Sequence, residues 1–342
     1  ARYFGYLSVG GLIRRTQDTF SSMQRLERHR GHFYNWYETR TLRAILPLYV
    51  SSVDSGNLAG HLLTLGAGLR EQADERIFTP QIFAGLRDTV RILRDLTGEN
   101  TALAKLDSEL EKSPAGLRAA FTLMERVTDQ ATTIVAALTN EEGELKDWAQ
   151  TLKRNCEAHL KDMLFLASWL ALPDPGSGSR QEKILTPESA IGHRKSKINQ
   201  RPPASSAIIL DEILVQLDHT PTLMGVSKFD QLLCPLIEAA LRDVPAESTQ
   251  SRKEAQTYLA ELSHCLREDS DHARQRLLVL GALARQSDEL AAMDFTFLFD
   301  TARDLFSTGF NVAERRRDNS FYDLLASEAH LCSFVAIALG QI

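Results

Sequence analysis

The sequence predicts an almost wholly α-helical protein with one short β-hairpin. Three observations carry that prediction. Apolar residues recur at intervals of three, four and seven through most of the chain, which places them on one face of a helix. Gly, Pro and Asn turn signals separate these runs. One aromatic-rich stretch near 295–312 differs in kind from everything else.

The first run, Ser8 to Arg30, spaces Leu12, Ile13, Phe20, Met23 and Leu26 as an amphipathic helix, which Gly31 ends. A ring-rich loop from His32 to Tyr37 follows, leading through Pro47 to Val50-Ser-Ser-Val53. A second helix is expected from Asp54, with Asp54 or Ser55 as its cap and Leu58, Leu62, Leu65 and Leu69 as its stripe. Gly56, Ala59 and Gly60 keep its opposite side thin. Residues 80–172 read as successive helices with turns near Gly98-Glu99-Asn100, Ser113-Pro114 and Asn140. Their stripes include Leu86, Val90 and Leu93, then Leu117, Phe121 and Met124. From 173 to 207 the composition shifts to Pro, Gly, Ser and Lys, the chemistry of a mobile linker. Helical periodicity resumes over Ile208–Leu217, Phe229–Leu241, Ala255–Leu266 and Ala273–Leu290. The runs Phe295–Asp300 and Leu305–Val312 predict the hairpin. A last helix is expected from Asp318 or Ser320 to about Leu339, its many Ala and Ser residues allowing close approach by neighbours.

These elements divide the chain into 1–75 (first helices and aromatic loop), 76–290 (a helical insertion holding the 173–207 linker) and 291–342 (hairpin and last helix). The start at Ala1 and the stop at Ile342, straight after an apolar helical run, suggest a piece of something longer. Uncovered apolar faces at such ends would favour aggregation.

The net charge of −6, with both signs mixed throughout, argues against a nucleic-acid or membrane surface. No stretch approaches the roughly 18 apolar residues of a membrane span. Cys156, Cys234, Cys265 and Cys332 lie far apart, suiting buried thiols in a reducing compartment. His264, Cys265 and His272 lack zinc-ligand spacing, so no metal and no cofactor is expected. Gly176-Ser-Gly-Ser lacks the Gly-Lys-Ser/Thr of a phosphate loop, and no Gly-x-Ser-x-Gly elbow is present.

Two clusters carry candidate chemistry. Between His32 and His61, Asn35, Trp36, Asp54 and Asn57 combine a ring face with amides and a carboxylate. A sugar site needs that mixture, since the ring packs on pyranose C–H groups while the polar groups take hydroxyls. The competing reading has Trp36 and Tyr37 covering the core edge and Asp54 capping a helix. In the second cluster Asp323 and Glu328 lie on the expected last helix. Five residues apart, they point about 140° from each other and cannot form one catalytic pair. Here the competing reading places Asp323 in a dipole-favoured first turn and pairs Glu328 with Arg315, Arg316 or Arg317.

Gly31-His-Phe-Tyr-Asn-Trp-Tyr-Glu-Thr-Arg40 and Tyr49-Val-Ser-Ser-Val-Asp-Ser-Gly-Asn-Leu-Ala-Gly-His-Leu62 closely resemble the central glucoamylase-like domain of cyclic β-1,2-glucan synthases. Leu305–Val312 and Arg317–Ala329 resemble the family's second signature. Glu38 stands where that family usually has Asp, and His330 where Arg is common. The resemblance implies the first part of an (α/α)6-barrel-like domain in a large enzyme on the cytoplasmic side of the bacterial inner membrane. It implies transglycosylation or cyclisation of β-1,2-glucan, or its hydrolysis, with Asn35, Trp36, Asp54, Asn57, Tyr322, Asp323 and Glu328 at the sugar cleft. The catalytic glutamates are expected beyond Ile342, since retaining chemistry needs two carboxyls about 5 Å apart and this segment does not assemble them. The partners implied are a β-glucan oligosaccharide and other domains of the same synthase, without nucleic acid or direct membrane insertion. A non-catalytic helical docking module is the competing class.

Overall fold

The computed structural model describes residues 3–98, 100–112, 114–138, 142–173, 206–242, 250–323 and 329–342, leaving aside the side chains of 206–211 and 250–255. The 173–207 linker, apart from its ends, and Glu328 therefore lie outside the described residues, as do Glu99, Ser113 and Asn140. Helices dominate: α1 Val9–Gln24, α2 Ser52–Glu71, α3 Gln81–Thr97, α4 Thr101–Glu111, α5 Leu117–Ala137 and α6 Glu144–Leu166. After them come α7 Ser206–Asp218, α8 Leu223–Val226, α9 Phe229–Leu232, α10 Cys234–Arg242, α11 Gln250–Ala291 and α12 His330–Ala338. The protein is mainly α. Among the described residues no helix is long and apolar enough to cross a membrane.

The chain forms two compact units. Unit 1 comprises Ala1–Leu12 with Asp74–Leu277, and unit 2 comprises Ile13–Ala73 with Leu278–Ile342. In unit 1 the expected stripes are the core: Leu86, Val90 and Leu93 of α3 and Leu117, Phe121 and Met124 of α5 are buried. α3 packs on α4 and α6, and α5 packs on α6. Asn100 caps α4 by accepting from the N–H groups of Ala102 and Leu103. Ala255–Leu266 and Ala273–Leu290 are not two helices, since α11 runs unbroken through both.

Unit 2 is built around α2, and its small side is the buried one. Ser52, Ser55, Gly56, Ala59, Gly60 and Gly66 are buried with Leu62 and Leu69, and this face packs on α12. Close backbone approach there adds to the expected leucine stripe, of which Leu62 and Leu69 are buried and Leu58 and Leu65 half-buried. The cap of α2 is Ser51, whose hydroxyl accepts from the Asp54 N–H, rather than Asp54 or Ser55.

The expected hairpin is present in shorter form, and two further small antiparallel sheets accompany it. β1 Arg28–His29 pairs with β2 His32–Phe33, so the first helix stops at Gln24 and does not reach Arg30. β3 Tyr49–Ser51 pairs with β6 Gly309–Asn311, which pairs in turn with β7 Arg316–Arg317. β4 Phe299–Asp300 and β5 Leu305–Phe306 form the third sheet. The last helix also starts later than expected, at His330. Residues 318–323 instead run beside β5, where Tyr322 N–H donates to Phe306 O and Thr308 N–H to Ser320 O.

Candidate functional site

All the described candidate residues lie in unit 2. The aromatic loop is held from beneath by His32, which is fully buried. Its Nε2 lies 2.7 Å from Asp294 O, and because a carbonyl only accepts, Nε2 carries the proton. Burial then holds the ring neutral, with its pKa lowered to about 4. The edges of Phe295 and Phe297 flank it. Tyr37 closes the loop by donating to Glu27 O at 2.6 Å and accepting from Tyr34 N–H at 2.8 Å. Glu38 organises the next turn, its carboxylate accepting from the N–H groups of Arg40 and Thr41, which lowers its pKa. The rings between His32 and Tyr37 are thus used in packing, except Trp36, which stays 50% exposed.

Asn35 joins this loop to the start of α2. Its Oδ1 accepts from Ser51 N–H at 3.2 Å, and its own N–H donates to Tyr49 O at 3.0 Å. Ser51 in turn receives the Asp54 N–H, so Asn35 and Asp54 meet on one capping residue. Asp54 is exposed in the first turn of α2. Asn57, half-buried, lies three residues on and therefore on the same helix face. Its carbonyl pairs with His61 Nδ1 at 2.6 Å. The structure thus brings Asn35, Asp54 and Asn57 to one helix end, beside Trp36.

The second cluster is arranged differently from its sequence expectation. Asp323 is exposed and precedes α12 instead of occupying its first turn, so neither the dipole argument nor the angle argument applies to it. Arg316 pairs with Glu314 at 3.0 Å and Arg317 with Asp300 at 2.8 Å. Tyr322 is half-buried and close enough to Tyr49 to help raise the latter's pKa.

Sequence reasoning missed the group that links the two clusters. Tyr49 donates its hydroxyl to Asp318 Oδ2 at 2.6 Å, and Thr308 donates to the same oxygen at 3.0 Å. Burial, then the bond to Asp318, pushes the Tyr49 phenol up to about 12, so it remains a donor. Tyr49 and Ser51 are the two ends of β3, which places this network one strand away from Asn35 and Asp54. The signal was present in both motifs, since Tyr49 opens one and Asp318 follows the first residue of the other. By local pattern alone Asp318 marks a helix start. Among the described residues no group of three or more His, Cys, Asp or Glu side chains is placed to hold a metal ion.

No family model matches the chain. Over 366 aligned positions it is 28% identical to the cyclic beta-(1,2)-glucan synthase NdvB of Rhizobium meliloti (strain 1021). That alignment takes in the whole of this chain but only 9% of the synthase. The exposed indole, the amides and the carboxylates gathered on unit 2 therefore sit in a chain that is similar, along its full length, to one segment of a cyclic beta-(1,2)-glucan synthase.

Proposed function

We propose that this chain is a segment of a longer enzyme that builds β-1,2-glucan, and that unit 2 holds the glucan during transglycosylation or cyclisation. The whole-length similarity to the synthase carries this reading. The Trp36 face would pack against a pyranose ring, while Asn35, Asp54, Asn57, Tyr322 and Asp323 would take its hydroxyls. Asn35 suits that role because its oxygen is engaged by Ser51 while, among the described residues, its amide N–H groups meet no acceptor. Glu328 belongs to the same proposal from its motif alone. The acid and nucleophile would come from another part of the polypeptide, as would attachment to the inner membrane. Unit 1 carries none of the proposed sugar residues, which favours a supporting part for it.

Calorimetric titration with β-1,2-glucooligosaccharides tests this reading. Measurable affinity in the 342-residue chain, weakened about tenfold or more in Trp36→Ala and Asn35→Ala proteins that keep their melting transitions, supports it. Equal affinity in the variants would remove these residues from the site.

A further inference from the structure

The aspartates of unit 2 differ in what they face. Asp288 pairs with Arg70, Asp294 with Arg30, and Asp300 with both Arg303 and Arg317. Among the described residues Asp318 faces no cation in this way. Its near neighbour Arg317 is turned to the other side, donating to Phe299 O at 2.6 Å and to Asp300 Oδ2 at 2.8 Å. That is the alternation expected along an extended chain. Asp318 instead receives two neutral hydroxyls, from Tyr49 and Thr308, both on Oδ2.

Its other oxygen is open. Among the described residues Oδ1 accepts no hydrogen bond, and it is not among the buried atoms left without a partner, so solvent reaches it. A half-buried carboxylate without a cation favours further hydrogen-bond donors, and a bond to a charged acceptor is stronger than one between neutral groups. The fold makes room for this arrangement at Gly309. A Cβ there would sit 2.2 Å from the Tyr49 hydroxyl oxygen and 2.5 Å from Val50 O, so any side chain would displace Tyr49 from Asp318.

We infer that Asp318 is a ligand for a glucosyl hydroxyl, accepting its hydrogen bond on Oδ1, and that Tyr49 and Thr308 are positioning residues that aim the carboxylate. Tyr49 binds no sugar in this role. Its hydroxyl and that of Thr308 fix the rotation of Asp318, and the Tyr49 proton stays in place because the phenol does not ionise near neutrality. The inference rests on the glucan reading of unit 2, and it adds a carboxylate that neither motif assigned.

The test couples a protein change to a ligand change. The 342-residue chain, Asp318→Asn and Thr308→Val are titrated with a β-1,2-glucooligosaccharide and with analogues lacking one free hydroxyl at position 3, 4 or 6. In the unsubstituted protein one analogue should bind about tenfold or more weakly than the parent sugar. In Asp318→Asn the parent sugar should already bind that much more weakly, and the same analogue should lose less than about threefold further. Thr308→Val should fall between them. A purely structural Asp318 would lower the melting temperature but leave the analogue's penalty unchanged, and that result overturns the inference while sparing the glucan reading. Failure of the unsubstituted chain to bind any β-1,2-glucooligosaccharide overturns both.

Discussion

The backbone of Gly56 in α2 lies directly against that of Cys332 in α12: a Cβ on Gly56 would stand 2.4 Å from Cys332 Cα and 2.6 Å from its backbone nitrogen. Backbone cannot yield as a flexible side chain can, so Gly56→Val should destabilise unit 2 by about 2–3 kcal/mol. Gly68, in the same helix, has nothing within 4 Å of its missing Cβ. Gly68→Ala should therefore be neutral or stabilising by up to about 1 kcal/mol. Urea denaturation of the two variants measures the contrast, and equal losses would mean that α2 and α12 are not in contact as described.

Arg317 secures the small sheets of unit 2. It donates to Phe299 O and to Asp300, which is only 6% exposed and also accepts from the N–H groups of Ala302 and Arg303. Arg317→Ala should lower stability by about 3 kcal/mol, because it leaves a buried carboxylate with one partly exposed arginine. Arg317→Lys should recover less than half of that, since an ammonium lacks the fork that reaches both acceptors. Thermal unfolding followed by circular dichroism reads both changes.

The two units should respond to pH in opposite directions. Burial lowers His32 in unit 2 to about 4, below its unfolded value, so its stability contribution is present near neutrality and is lost as pH falls from about 6.5 through 4. Burial raises Asp269 in unit 1 to about 7, above its unfolded value. Its contribution is therefore present below about pH 4 and is lost as pH rises through 7. His32 accounts for about 3 kcal/mol and Asp269 for about 4 kcal/mol. Hydrogen exchange resolved by unit, at pH 4.5 and 8, should show unit 2 loosening at the lower value and unit 1 at the higher. Asp269→Asn should remove the alkaline loss.

Asp269 also shows why part of the fold was not legible in the sequence. Glu268-Asp-Ser-Asp271 reads as a polar break between two helices, yet α11 passes through it. Asp269 and Ser270 are fully buried, Asp269 accepting from Ser168 N–H and hydroxyl and Ser270 donating to Leu266 O and Val226 O. Tertiary partners satisfied polar groups that local pattern could only place in solvent. The stripes of α3 and α5 were legible because apolar periodicity and burial coincide there. The Asp318-Asn-Ser320 cap signal misled for the opposite reason, since cross-strand bonds from Thr308 and to Phe306 claimed that segment. At the candidate site, residue types could nominate Asn35, Trp36, Asp54 and Asn57, but the bond from Tyr49 to Asp318 joins positions 269 residues apart and required the fold.

Trp36 should separate binding from stability. Half its surface is already exposed, so Trp36→Ala should change the unfolding free energy by less than about 1 kcal/mol. Denaturant midpoints within error of the parent would support a surface kept for a ligand. A loss near the 3–5 kcal/mol of a buried aromatic would mean that Trp36 serves the core.

Where the glucan sits is tested most directly by hydrogen exchange of the 342-residue chain with and without a saturating β-1,2-glucooligosaccharide. Unit 2 as the glucan-holding part predicts slowed exchange at residues 33–37, at the first turns of α2 and across 308–322, with unit 1 unchanged. Protection confined to unit 1, or none at a sugar concentration shown calorimetrically to saturate, would contradict it.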